Sequence, residues 1–398
     1  MNTPTRVVVA DFEEPGWDYG LLKSPYHAAH RANGAHYTVY NARLMPVSQK
    51  IDRHDGYRAL RTGLIMLDTG ERPTEISGPD AEALCNKVFA RDISKLKVGR
   101  CTYGLLLYPD GGFLCDGVLM RLAEDRFWYV QADGPVISWL IAHSAGLDVK
   151  ISDPNSWVTQ IQGPRALEML EKICDGGAPQ PFGYYGNAEV MVNGVPLILS
   201  RTGYTAELGF EFYTPDVNTY DGQAMWNYML EAGQEFGMEV IGLDSLDARR
   251  IEAGIMNNLS DFDESMNPYQ AGLGAFIKLD GPDFIGRDAL LNLSETAKQP
   301  LLSGLRCATG EPLIDGDLMA GDAQIGHVTA ASWSPFLSEG VAIIRLTDAA
   351  LPTKQDIGVR CRDGSLQPAR LVSLPMYDEE KRIPRGLEEA RPKFSSAA

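Results

Sequence analysis

Apolar positions along the chain follow two periods. In residues 80–89, Leu84, Val88 and Phe89 recur at helical spacing. They predict a helix entered through Gly78-Pro79, because proline suits a first helical turn. Tyr103–Leu107 and Val118–Leu122 are short apolar runs on either side of Pro109-Asp110-Gly111-Gly112, the pattern of a hairpin. Phe127–Gln131 extends that sheet, followed by a helix over Val136–Ser144 and a strand over Leu147–Ser152. The order then recurs. Trp157–Gln162 is strand-like, Gly163-Pro164 opens a helix over Arg165–Ile173, and Glu189–Pro196 and Leu197–Arg201 flank the turn Asn193-Gly194. Phe210–Tyr213 is a further strand and Ala224–Phe236 a helix, and upstream Tyr37–Leu44 reads as a strand. Strand, Gly-Pro, helix and hairpin thus occur at 74–108 and again at 157–213, which predicts two α+β units of similar plan.

Beyond residue 300 the pattern changes. Leu305–Cys307, Gln324–Ala331, Gly340–Leu346, Gly358–Cys361 and Ala369–Leu374 are short strands with little helix between them. They predict a third, all-β domain of barrel or jelly-roll type. From Asp378 the chain turns polar and is expected to be a loosely held tail.

Composition narrows the function classes. Of the 398 residues 44% are hydrophobic and 22% charged, and the net charge is −17. Nucleic acid and anionic membranes are repelled at long range by such a charge. The expected partners are small molecules or further copies of the chain, as in a homo-oligomer. No apolar run reaches the roughly 18 residues of a membrane span. The run Val7-Val8-Val9-Ala10 is followed by Asp11, Glu13 and Glu14, unlike a signal peptide. Six scattered cysteines without a C-x-x-C pair read as reduced thiols, so a cytoplasmic location is expected.

Several common chemistries lack their signatures. There is no phosphate-cradling G-x-x-x-x-G-K-[ST], no complete G-x-G-x-x-G, no H-E-x-x-H and no G-x-S-x-G. His27 and His30 are spaced i, i+3 but lack a nearby acid, so no metal site is expected. Glycine-rich turns with isolated acids remain: Y-G-L-L-L-Y-P-D-G-G-F-L-C-D over 103–116 and S-R-T-G-Y-T-A-E-L-G-F-E over 200–211. In a third stretch, G-L-D-S-L-D-A-R-R-I-E-A over 242–253, Asp244 or Ser245 is expected to cap a helix.

Taken in order with I-Q-G-P at 161–164, N-P-x-x-x-G-L at 267–273, D-F-I-G-R-D-A-L at 283–290 and a late G-x-V-T-x-x-x-x-S-P, these stretches resemble the tetrahydrofolate-dependent aminomethyltransferases, the T-protein family of glycine cleavage. The resemblance spans residues 37–376. It implies a three-domain cloverleaf around a central folate: 1–74 with 156–258, 75–155 with 259–299, and 300–378, followed by a tail at 379–398. The first two would be ferredoxin-like. It implies Asp116 as the catalytic carboxylate, and Tyr103, Tyr184, Tyr204 and Glu211 lining the pterin pocket, with Arg382 meeting the anionic tail of tetrahydrofolate. Aromatic rings suit a flat pterin, and a buried carboxylate suits its amino-pyrimidine edge. Glu207 is expected on an exposed turn, and Ala206, where relatives carry glycine, either keeps φ negative or carries strain.

Other departures point within the family. Leu246 stands where relatives have arginine, and Cys115 where they have a second aspartate. The N-terminal segment S-P-Y-H-A-A-H-R-A-N-G-A-H-Y-T-V-Y resembles the demethylase branch, which acts on dimethylsulfoniopropionate or methoxy-aromatic acids. That reading makes His27, His30 and Tyr37 candidate contacts of a small-molecule methyl donor, with a methoxy-aromatic acid favoured. The ordinary aminomethyltransferase, with a lipoylated carrier protein as partner, and a folate-binding protein without transfer activity are the alternatives.

Overall fold

The computed structural model describes residues 21–349 and 357–387; the apolar run at 7–10 lies outside them. The chain opens with β1 (Leu22–Lys23), α1 (His27–Ala32), β2 (His36–Tyr40) and β3 (Arg43–Ser48), which form a small sheet ordered β1-β3-β2. The strand expected over Tyr37–Leu44 is two strands of a hairpin. Asn41 and Ala42 turn between them with φ of 53° and 57°, the conformation of the tight hairpin turns. Neither α2 (Arg53–Thr62) nor β4 (Leu64–Thr69) stood out in the sequence. Asp52 caps α2 by accepting from His54 N at 2.8 Å.

Next come β5 (Arg72–Ser77), α3 (Ala81–Val88), β6 (Arg100–Leu107), β7 (Phe113–Ala123), β8 (Arg126–Gln131), α4 (Val136–His143) and β9 (Lys150–Ser152). They are followed by β10 (Val158–Gln162), α5 (Ala166–Ile173), β11 (Asn187–Val192), β12 (Val195–Ser200), β13 (Gly209–Tyr213), α6 (Gly222–Gly233) and β14 (Met238–Val240). The two large sheets are ordered β6-β7-β8-β5-β9 and β11-β12-β13-β10-β4-β14. Their connectivity matches strand for strand over four strands, so the repeated plan read from the sequence is real. Gly78 and Gly163 open the equivalent helices with φ of 125° and 128°. A Cβ at either would lie 2.6 Å from a backbone oxygen, which only glycine tolerates.

The sheets meet face to face. Met120 and Trp128 of one pack on Val158, Ile198 and Tyr213 of the other. Because strand side chains alternate, Tyr103 and Asp116 share this inner face with Gln160, Ser200 and Glu211. The outer face of the β10–β13 sheet is covered by α1, α5 and α6.

α7 (Leu243–Glu252) begins at Gly242 with no side-chain cap, so the capping expected of Asp244 or Ser245 is absent. After α8 (Arg287–Leu291), β15 (Leu302–Cys307), β16 (Asp317–Ala320), β17 (Ala323–Ser334), β18 (Glu339–Leu346), β19 (Ile357–Arg360) and β20 (Leu366–Val372) close a six-stranded barrel. Thr329 of the barrel donates to Asp261 at 2.6 Å, tying it to the loop after α7. Residues 378–387 are folded back rather than loose: Asp378 accepts from Arg382 N and Ile383 N, and Arg201 donates to the Arg385 carbonyl at 2.9 Å. The remainder of the expected tail lies outside the described residues. Among those described, no helix is long and apolar enough to cross a membrane. All six cysteines are free and buried.

Candidate functional site

Asp116 lies on β7 beside the hairpin strand β6, where Leu105 is its direct partner and Tyr103 its diagonal neighbour. The Tyr103 hydroxyl donates to Asp116 Oδ2 at 2.6 Å. Asp116 is only 8% exposed, and its Oδ1 is buried with no hydrogen-bond partner. Burial pushes its carboxyl up to about 6; the Tyr103 bond opposes this and the Asp261 charge adds to it. A buried polar atom without a partner costs roughly 1–3 kcal/mol, so such atoms cluster where a ligand completes them. Cys115 points to the opposite, outer face and is a core thiol among Leu114, Leu119 and Tyr129.

Glu211 sits on β13, opposite Gln160 and Ser200. Its Oε2 accepts from Tyr213 at 2.8 Å, from Ser200 at 3.3 Å and from Thr202. Burial raises its carboxyl pKa, against these three hydroxyl donors. All three bonds arrive at one oxygen, so Oε1 takes none of them. Gln160 Nε2 is a second buried inner-face atom without a partner. The Tyr204 hydroxyl donates to the Met256 carbonyl at 3.1 Å, and Arg250 lies 6.0 Å from its ring. The Tyr204 backbone N–H donates to Gln160 Oε1 at 3.4 Å, and Gln160 is the strand partner of Glu211. Tyr103, Asp116, Tyr204 and Glu211 are therefore brought to one region. The unmatched Asp116 oxygen and the unmatched Gln160 amide donor fit a flat heterocycle with a donor/acceptor edge.

The turn between Glu211 and Tyr204 departs from expectation. Glu207 is 5% exposed, not a surface residue. Its Oε1 bridges Arg249 Nε at 2.7 Å and Arg61 Nε at 3.1 Å. Arg61 also pairs with Glu252 at 3.3 Å, and Glu252 accepts from Tyr57 at 2.8 Å and from Tyr377. This buried network joins α2, α7, the turn and the segment after the barrel. Ala206 adopts φ of 52°, so it carries the strain, and its carbonyl accepts from Arg249 at 2.9 Å. Gly203 and Gly209 both give way to the buried Gln162 side chain: a Cβ at either would lie within 2.3 Å of it.

Tyr184, Glu207, Arg249, Tyr377 and Lys381 line a cleft beside the turn. Lys381, not Arg382, faces that cleft, and Arg385 lies 6.0 Å from the Tyr184 ring. The Arg382 guanidinium instead donates to the Leu387 carbonyl at 3.1 Å.

The histidine expectation meets a structural use. His30 is fully buried on the outer face, its Nε2 2.8 Å from Asp68 Oδ2 and its Nδ1 2.9 Å from Gln49 Nε2. Its ring is edge-on to Trp226. His27 packs against Tyr37 at 5.0 Å. Tyr37 senses Asp68, the His30 partner, and burial pushes its phenol up to about 12. These three are gathered with Asp68, on the other side of the sheet from Glu211. Two further inner residues stand near the site, Tyr40 from the N-terminal segment quoted above and Glu71, which the sequence did not single out. Tyr40, at the hairpin tip, is electrostatically coupled to Glu71, Asp116 and Tyr204. Glu71 lies in the link between β4 and β5, with a buried Oε2 that has no partner. The only hint in the sequence was an acid placed between two strands.

Two like sheets enclosing unsatisfied carboxylates, with a β-barrel alongside, define a T-protein-like fold. Residues 26–281 match the GCVT N-terminal domain, and residues 302–378 match the glycine cleavage T-protein C-terminal barrel domain. The chain belongs to the glycine cleavage T-protein family of aminomethyltransferase-like enzymes. An aminomethyltransferase of Moorella thermoacetica is 32% identical over 91% of this chain and 99% of its own. One from Symbiobacterium thermophilum is 34% identical over 90% and 97%. A trimethylamine-oxide aldolase of Ruegeria pomeroyi is 34% identical over 83% of this chain, which spans only 43% of that longer protein. The solved glycine cleavage system aminomethyltransferase T of Bartonella henselae has a TM-score of 0.80 over 90% of this chain and 98% of that one, at 23% identity, a likeness of fold.

Proposed function

We propose that the protein is a tetrahydrofolate-dependent demethylase, moving a methyl group from a small methylated donor to the folate. One observation carries the reading: a buried carboxylate, Asp116, held by Tyr103 through one oxygen and open at the other. When bound, tetrahydrofolate supplies a nitrogen nucleophile for the one-carbon unit. Asp116 Oδ1 takes the proton that this nitrogen releases, and near neutral pH the carboxylate is in the form that can do so. Tyr103 fixes the Asp116 orientation. Glu211 accepts from the amino-pyrimidine edge, and Tyr204 offers an aromatic wall. Tyr184, Lys381 and Arg385 stand where the folate tail would leave the cleft. The sheets contribute alignment, which is the larger part of catalysis for a two-substrate transfer.

For the donor, a methoxy-aromatic acid would draw on the aromatic residues of the N-terminal segment. Tyr26 and His30 close on Trp226 instead. The trimethylamine-oxide aldolase relative supports a methylated donor. The aminomethyltransferases matched along nearly their whole length support the second reading, glycine cleavage. Against it, Leu246 is buried in an apolar cluster with Leu60, Ile65 and Leu67, where relatives carry an arginine. Mass spectrometry separates the two: demethylation yields 5-methyltetrahydrofolate, and glycine cleavage yields 5,10-methylenetetrahydrofolate.

A further inference from the structure

We propose that Tyr40 and Glu71 form a subsite for the positively charged end of the methyl donor, a methylated ammonium or sulfonium group. The proposal rests on the folate reading above and deepens it.

Three observations converge. First, Glu71 Oε2 is buried and unpartnered, while the Thr69 hydroxyl and the backbone meet the carboxyl elsewhere. Second, the hairpin tip is pinned where the two sheets meet. Gln131 Nε2 donates to Asn41 Oδ1 at 3.3 Å, Asn41 Nδ2 donates to the Gln131 backbone carbonyl at 3.4 Å, and Gln131 pairs with Gly117, next to Asp116. Tyr40 therefore sits against the β4–β5 link: a Cβ on Gly70 would lie 3.3 Å from Tyr40 Cδ1. Third, the charge around this point is acidic. Glu71 feels Glu211, and Tyr40 feels both Glu71 and Asp116. The near cation, Arg43, donates Nη1 to the Glu71 backbone carbonyl at 2.9 Å and lies 4.3 Å from the Trp157 ring. Burial, then the Glu211 charge, pushes the Glu71 carboxyl up to about 7.

A buried carboxylate is costly unless a cation or hydrogen bonds meet it. An aromatic ring beside it attracts methylated cations, whose diffuse charge suits a ring face. A donor bearing only a carboxylate would instead meet several like charges. Methyl transfer from ammonium or sulfonium breaks the carbon–heteroatom bond with its electron pair left on nitrogen or sulfur, and this neutralises the leaving group. An adjacent carboxylate therefore holds the cationic donor more tightly than the neutral product.

The test uses tetramethylammonium chloride as probe, titrated calorimetrically into the full chain with and without tetrahydrofolate, against sodium chloride at equal ionic strength. The wild type is expected to bind the probe above the sodium control. Glu71→Gln and Tyr40→Leu should each weaken it at least tenfold while tetrahydrofolate affinity stays within twofold. Absence of probe binding to the wild type overturns the subsite, as does unchanged probe affinity in a folded Glu71→Gln. Loss of folate affinity without loss of probe affinity assigns Glu71 to the folate and also overturns it. If Glu71→Gln does not fold, Tyr40→Leu decides. Probe binding without any folate binding retains the subsite and rejects the folate reading.

Discussion

Tyr103 Oη lies 2.6 Å from Asp116 Oδ2, a diagonal bond between neighbouring strands, while Asp116 Oδ1 is buried without a partner. One oxygen positions the carboxylate and the other is left for chemistry. Asp116→Asn should therefore lower turnover by at least 100-fold, the usual scale of a lost general base. Tetrahydrofolate affinity should change little. The check is single-turnover kinetics beside a folate titration.

The same burial predicts a gain in stability. The folded Asp116 pKa, about 6, exceeds the ordinary 3.8. The proton is thus held more tightly in the folded state. That contribution is complete below about pH 4 and is lost as pH rises through 6. At pH 8 the ionised, buried group costs roughly 3 kcal/mol. Asp116→Asn should be more stable than wild type at pH 8, with the difference vanishing near pH 4. Denaturant titrations at the two pH values read it.

Tyr103→Phe removes the bond that lowers the Asp116 pKa. Activity of this variant should fall off at a higher pH than that of the wild type, which loses activity as pH drops through about 6. A pH–rate profile whose acid limb does not move would separate Tyr103 from Asp116.

Glu207 and Glu211, four residues apart, should behave oppositely. Glu207→Gln leaves Arg61 and Arg249 without their shared carboxylate. Breaking a buried pair this way costs about 3–5 kcal/mol. Glu211→Gln loses a charge-assisted acceptor, and folate affinity should drop about 10- to 100-fold. Paired unfolding and folate-binding measurements on both variants compare them.

Much of this was legible before folding, for local reasons. Gly78-Pro79 and Gly163-Pro164 marked the two equivalent helix starts, whereas Asp116 and Glu211 were singled out only through the order of motifs shared with the family. What failed depends on distant residues. Glu207 and Glu211 sit on the same short stretch, and only α2 and α7, arriving with Arg61 and Arg249, make Glu207 a buried bridge. His30 resembled a donor contact until Asp68 and Gln49, from later elements, took both ring nitrogens. Tyr40 and Glu71 carry no motif and meet only because the hairpin tip is pinned by Gln131. Near the C-terminus, Lys381 rather than Arg382 lines the cleft beside Tyr184, a difference of one position that the sequence pattern does not resolve.

Transfer of a methyl carbon to folate is tested most directly by isotope. The protein is incubated with tetrahydrofolate and donors carrying a carbon-13 methyl group: trimethylamine N-oxide, dimethylsulfoniopropionate and a methoxybenzoate, with labelled glycine as a comparison. Mass spectrometry should find the label in 5-methyltetrahydrofolate from a methylated donor with the wild type, and not with Asp116→Asn. Label appearing only as 5,10-methylenetetrahydrofolate, from glycine and in the presence of a lipoylated carrier protein, would contradict demethylation.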